Sequence, residues 1–245
     1  GTPREPLEYK KMYLDRLWDL IVGRIEAAQM KAIVGDNVPA SDLKQYGLGL
    51  WALGVGVDSN VDAVVAGTQR ALFVLPSYET GGSQRVLLTL LSHVDRRRFA
   101  PELVMLDATG ALQHMVPADV PVHDLGKPRL RQAIPSLLRI LRQRRPQVIF
   151  STLGYVNLAI LGLRPLLGFG TRIVIRESNL PSQALPHLRG AAALRLGYRL
   201  LYRSADKVVA QSDRMRQELE QTFHVPPSRL ARLRNPVDVA AIRGG

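Results

Sequence analysis

At 245 residues, 46% hydrophobic and 22% charged, the chain has the make-up of a soluble globular protein with one large domain or two small ones. It holds no cysteine, which excludes disulfides, zinc–thiolate sites and cysteine nucleophiles; its longest apolar run, 48–57, is about half the ~20 residues of a membrane-spanning helix. Charge is uneven, with 7 Lys and Arg against 9 acids in residues 1–69, a net of −2, and 26 against 12 in residues 70–245, a net of +14.

The polar start, with Glu5, Glu8 and Asp15 where a secretory leader has its positive region, predicts no leader. Residues 7–34 read as one helix, with Leu14, Leu17, Trp18, Ile21, Ile25 and Ala28 at helical spacing and Gly35-Asp36-Asn37 and Pro39 as its stop. Ser41-Asp42 suits the cap of a second, shorter helix, and 47–56 is too glycine-rich to assign. Composition breaks near residue 69, which sets 1–69 apart as a mainly helical segment without a catalytic constellation. It is either a packing or dimerising appendage or a segment foreign to the rest of the chain. Basic residues change identity at the same point, from four Lys and three Arg to two Lys and 24 Arg. A GC-rich codon bias and an anionic partner each account for that change.

Beyond residue 69 the pattern becomes regular. Short Val/Ile-rich runs without strict alternation predict strands over 71–75, 103–106, 120–124, 148–151, 172–176 and 207–211. Helical spacing predicts helices over 83–94, 131–144, 156–163, 188–202 and 213–223. This alternation predicts an α/β fold with a doubly wound, mostly parallel, Rossmann-like sheet over 70–234.

Candidate site residues fall where strands end, because ligands of open sheets bind beyond their carboxyl ends. Gly81 and Gly82 stand between the first strand and its helix; they serve backbone geometry or leave room for an anion at a helix N-terminus. Neither G-x-G-x-x-G nor a Walker A lysine is present, which disfavours a dehydrogenase or a P-loop NTPase. Arg176, Glu177, Ser178 and Asn179 follow the strand RIVI, as a ligand loop or a helix cap. Thr152, Tyr155 and Asn157 follow the strand VIFS, suited to hydrogen-bonding a sugar or to capping the next helix. His93, His114, His123, His187 and His224 show no metal spacing, no G-x-S-x-G elbow indicates a hydrolase, and no nucleic-acid motif interleaves aromatics with the basic residues. The helices 131–144 and 188–202 carry the excess of arginine, either as solvated faces or as surfaces for an anionic membrane.

Taken in order, FVLPSYETGGSQRV, the Arg-Pro before QVIFSTLGYVN, IVIRESNLPS, LYRSADKVVAQSDRM and RLRNPVDVAAIR resemble the N-terminal half of a family-4 glycosyltransferase of the GT-B fold, of the bacterial polysaccharide type. The resemblance covers residues 70–243. It implies two Rossmann-like domains facing across a cleft, the first binding mainly the acceptor and the second most of the donor. It implies that Gly81 and Gly82 approach the donor diphosphate. Arg176, Ser178 and Asn179, with Thr152, Tyr155 and Asn157, would line the acceptor cleft, and Glu177 would be the catalytic carboxylate. It further implies transfer of a hexose from a UDP- or GDP-sugar, with retention, to a lipid-linked or polysaccharide acceptor, with no cofactor, no bound metal and no nucleic-acid partner. The place would be the cytoplasm, peripheral to the inner face of the plasma membrane.

The sequence departs from the family pattern in places. The usual Gly-Gly-x-Glu reads Gly81-Gly82-Ser83-Gln84, which removes a carboxylate, and a frequent histidine after the fourth strand is replaced by Thr152-Leu153-Gly154. Asn235-Pro236-Val237-Asp238 match the crossing into the second domain, and 235–245 would be the start of that crossing. The expectation is therefore an acceptor half whose second domain, with its paired glutamates, is absent and which is nearly inactive by itself. Two other readings stay open at this point. One is a non-catalytic α/β module for an anionic ligand or partner; the other is half of a sugar-nucleotide epimerase.

Overall fold

A computed structural model of the chain describes residues 68–168, 170–187 and 190–233, which lie within a compact unit from Thr68 to Asp238. The helices read at 7–34 and from residue 41, and the crossing at 235–238, lie outside the described residues. In chain order the main elements are β1 (Gln69–Leu75), α1 (Gly82–Ser92), β2 (Phe99–Met105), β3 (Val122–Asp124), α2 (Leu130–Arg144), β4 (Val148–Thr152) and α3 (Gly154–Leu163). They continue with β5 (Arg172–Arg176), α4 (Pro181–Ala184), α5 (Ala191–Leu201), β6 (Lys207–Ala210), α6 (Asp213–Gln221) and β7 (Leu230–Arg232).

The seven strands form one parallel sheet in the order β3-β2-β1-β4-β5-β6-β7, the doubly wound Rossmann-like architecture expected from the sequence. The chain winds outward from β1 to β3, returns to β4 beside β1, and winds the other way to β7. Right-handed crossovers then put α1 on one face and α2, α3, α5 and α6 on the other. Along the strands, Leu72, Val74, Val104, Ile149, Ile173, Ile175 and Val208 turn to the second face. There they pack with Leu137 and Leu141 of α2, Val156 and Ile160 of α3, Tyr198 of α5 and Leu219 of α6. Alternate residues such as Phe73 and Phe150, with ring centroids 5.6 Å apart, turn to the face covered by Leu87, Leu90 and Leu91 of α1. Each such fully buried side chain contributes roughly 1.5–3 kcal/mol. Cover on both faces is why the strands read as unbroken apolar runs.

The departures from expectation have local causes. β2 starts four residues early, at Phe99, because the whole of β1 from Gln69 onward pairs with it. β3 starts at Val122 and is only three residues long, an edge strand with β2 as its one neighbour. β7 was not expected; three residues after a Pro226-Pro227 turn are too few to show any period. α5 starts at Ala191 behind Gly190, whose φ of 78° lies outside the helical region.

A buried carboxylate ties the amino-terminal end of β1 to α2. Glu102 of β2 accepts from Arg144 at 2.6 and 2.8 Å and from His123 at 2.7 Å, and lies 3.1 Å from Arg70. Burial alone raises its pKa, but the hydrogen bonds from Arg144 and His123 outweigh it and hold the carboxyl below its usual range. A depressed folded pKa means stability that is present above the unfolded pKa and lost as pH falls through the folded one. Glu102→Gln is expected to cost about 2 kcal/mol at neutral pH, limited because both arginines are partly exposed and rehydrate. In urea unfolding, the gap between wild type and this variant is expected to close as pH drops below 4; a gap independent of pH contradicts it. Among the described residues no helix is long and apolar enough to cross a membrane.

Candidate functional site

The sheet order reverses between β1 and β4, the place where the loops of an open sheet part and leave a crevice at the carboxyl ends of the strands. On the β1 side Gly81 caps α1 in extended conformation (φ −79°, ψ 146°), with no side-chain hydrogen bond to the first turn. Neither Gly81 nor Gly82 lies in the left-handed region. A Cβ on Gly82 would meet nothing within 4 Å, and one on Gly81 would first meet the amide end of the Gln84 side chain. Packing among the described residues therefore does not require glycine at 82.

On the β4 side the backbone is held in a costly conformation. Leu153 has φ 73° and ψ 121°, a geometry that costs a bulky residue of the order of 1–3 kcal/mol. Behind it Gly154 opens α3 and Tyr155 stands 44% exposed. Local burial of the Tyr155 hydroxyl, and next the charge of Glu79 across the crevice, push its pKa up.

The β5 loop is joined to the β4 loop by a buried lattice. Thr152 Oγ1 and Ser178 Oγ are 2.9 Å apart, and Arg176 Nη1 donates to Thr152 at 3.2 Å. Asn157 accepts from Ser151 at 2.8 Å and donates to the Arg176 carbonyl at 3.0 Å and to Tyr202 Oη at 3.3 Å. Gln211, just after β6, donates to the carbonyls of Glu177 and Ser178 at 2.9 and 3.0 Å. The Glu177 carboxylate accepts from the Tyr202 hydroxyl at 2.5 Å, the Tyr198 hydroxyl at 3.1 Å and the Ser178 N–H at 3.0 Å. The Asn179 N–H also stabilises it. Tyr198 and Tyr202 stack with centroids 4.3 Å apart. Burial raises the Glu177 pKa against the lowering effect of those hydrogen bonds, and raises both tyrosine hydroxyls.

Side-chain direction thus divides the residues singled out by sequence. Gly82, Tyr155 and Asn179 are exposed along the carboxyl edge, and Gly81 and Ser178 are half-buried there. Thr152, Asn157, Arg176 and Glu177 are buried, so their side chains brace the loops instead of lining an open cleft. The Glu177 carboxylate in particular is enclosed by two phenols and the following backbone. The sequence reading missed Tyr198, Tyr202 and Gln211, and the role of Gly154. Their signal was two tyrosines four apart on a stretch otherwise built of Ala, Leu, Gly and Arg, and a glycine at the first position of α3.

A parallel sheet wound both ways from a central strand pair, with loops braced at its carboxyl edge, defines a doubly wound, Rossmann-like domain. The chain belongs to Glycosyltransferase Family 4, whose model matches residues 80–241, about two thirds of its length. Solved structures of similar fold include HepE of Anabaena in complex with UDP, at 14% identity and a TM-score of 0.52 over 68% of this chain. A glycosyltransferase of Rickettsia africae matches at 11% identity and a TM-score of 0.51, also over 68%. The chain spans 44% and 43% of the lengths of these two proteins. No curated protein is a significant match to the sequence.

Proposed function

We propose that residues 68–233 form the acceptor-side domain of a glycosyltransferase that moves a hexose from a UDP- or GDP-sugar, with retention, to a lipid-linked or polysaccharide acceptor at the cytoplasmic face of a membrane. The observation that carries this reading is the shared carboxyl edge of β1 and β4, where a glycine that packing does not require opens α1 and an exposed tyrosine follows β4. In this reading the backbone of Gly81 and Gly82 approaches the donor diphosphate, as anions favour a helix N-terminus. Tyr155 and Asn179 hydrogen-bond acceptor hydroxyls. Glu177, with Thr152, Asn157, Arg176 and Ser178, positions the loops that carry them. The UDP bound to HepE supports a nucleotide-sugar donor.

Amide chemical shifts of the whole chain, titrated with UDP and with GDP, test the placement. Perturbations are expected at Gly81, Gly82 and Ser83 and at Tyr155, and Gly82→Val, whose side chain meets open space, should suppress them. Shifts confined to other loops, or none at all with either nucleotide, overturn it.

A further inference from the structure

The positive charge of this chain is concentrated in one stretch. From Leu125 to Ala205 the sequence holds 14 Lys and Arg and a single acid, Glu177, a net of +13. The rest of the chain has 19 Lys and Arg against 20 acids, a net of −1. The one acid of the stretch is buried beneath the tyrosines, while Glu102 and Asp206 from outside it pair with Arg144 and Arg164 and leave the other surface arginines of the helices for solvent.

The fold gathers that stretch on one side. α2, α3 and α5 share a single face of the sheet, with α3 between its two neighbours. None of the three contains a carboxylate, and α3 has no charged residue at all. α2 exposes Arg131, Arg139 and Arg142, and α5 exposes Arg195, Arg199 and Arg203 at its outer side and end. Among the described residues no carboxylate forms an ion pair with any of these six.

The outer face of α5 also carries apolar surface that its packing does not use. Tyr198 turns inward, while Leu196 and Leu200, one helical turn apart, are 55% and 56% exposed between the arginines. A single exposed leucine is ordinary. Two leucines in register among arginines that no carboxylate of the described residues pairs, beside a second acid-free basic helix, form a surface with two demands: negative charge and a place for apolar side chains. An anionic bilayer surface meets both, the headgroups taking the guanidinium groups and the acyl boundary taking the leucines. A nucleic acid meets only the first.

We infer that the outer face of the α2–α3–α5 layer docks on an anionic membrane, with Leu196 and Leu200 entering the headgroup–acyl boundary. This rests on the membrane side of the proposed function and adds to it the face and the orientation. The sheet then stands on its helical layer, with α1 directed away from the lipid and the crevice opening along the membrane surface.

The absence of native cysteine makes a site-specific test available. The whole chain is prepared as Leu200→Cys and, on the opposite face, as Arg85→Cys, each labelled with an environment-sensitive fluorophore. It is then mixed with phosphatidylcholine vesicles with and without 30% phosphatidylglycerol. The expected result is sedimentation with anionic vesicles only, reversed by 0.5 M salt, and a fluorescence rise at position 200 but not at 85. A basic residue near an anionic surface is worth about fivefold in partitioning, so Arg139→Gln combined with Arg195→Gln should reduce binding about 25-fold. Four results overturn the inference: equal binding to neutral vesicles, an unchanged double variant, equal signals at 85 and 200, or a stable dimer in solution whose formation alone raises the signal at 200. No nucleotide is present in this assay, so its failure is distinct from a failure of UDP to perturb the glycine loop.

Discussion

Glu177→Ala is expected to destabilise the domain by about 3–5 kcal/mol, enough to lower its melting temperature by roughly 10 °C. Alanine removes the acceptor for two phenol hydroxyls and two backbone N–H groups at a buried place. Glu177→Gln keeps the volume and one acceptor oxygen, and is expected to cost about half as much. The two variants also differ from wild type in pH dependence. The folded pKa of Glu177 is raised, with burial the leading cause, so its contribution to stability is fully present below the unfolded pKa and declines as pH rises through the folded one. That is the opposite sense to Glu102, whose folded pKa is lowered. Urea unfolding across pH 3 to 8 separates them: Glu177→Gln should remove a fall in stability toward high pH, while Glu102→Gln should remove a fall toward low pH. An alanine variant within about 0.5 kcal/mol of wild type, the range of an ordinary surface substitution, contradicts an anchoring role for Glu177.

The sheet was legible in the sequence because its strands are buried on both sides, which leaves a run such as ALFVL or VIF with no polar interruption to misread. Where that cover fails, legibility fails with it. β3 has a neighbour on one side only and exposed ends, and β7 is three residues long. The site was legible to the level of loops. That Gly81–Gly82, Thr152–Tyr155 and Glu177–Asn179 share one edge follows from parallel strands all ending on the same side. The direction of each side chain was not legible, because it depends on partners far along the chain. The burial of Glu177 is decided by Tyr198 and Tyr202, 21 and 25 residues later. Tyr198 reads equally well as one more apolar residue in the stripe of α5, and only the packing of α5 on α3 turns its hydroxyl toward a carboxylate.

Gly154 is where that packing is most exposed to a single substitution. A Cβ at this position would lie 1.9 Å from the Tyr198 hydroxyl oxygen and 3.0 Å from Cζ, well inside contact distance. The ring has little room to retreat, since one side stacks on Tyr202 and another packs against Phe223 at 5.2 Å. Gly154→Ala is therefore expected to cost about 2–3 kcal/mol by overpacking and by breaking the Tyr198–Glu177 hydrogen bond. Tyr198→Phe alone removes that bond at about 1 kcal/mol and deletes the oxygen that the new methyl group would strike. The two changes should then compensate. In a double-mutant cycle, Gly154→Ala with Tyr198→Phe is expected to be more stable than the sum of the single effects by at least about 1 kcal/mol. Strict additivity would mean that the methyl group is accommodated by movement of α3 and not at the tyrosine. The β4 loop, with Leu153 and Tyr155, would then be free to shift independently of α5, and the bracing assigned to Glu177 would not extend to the crevice.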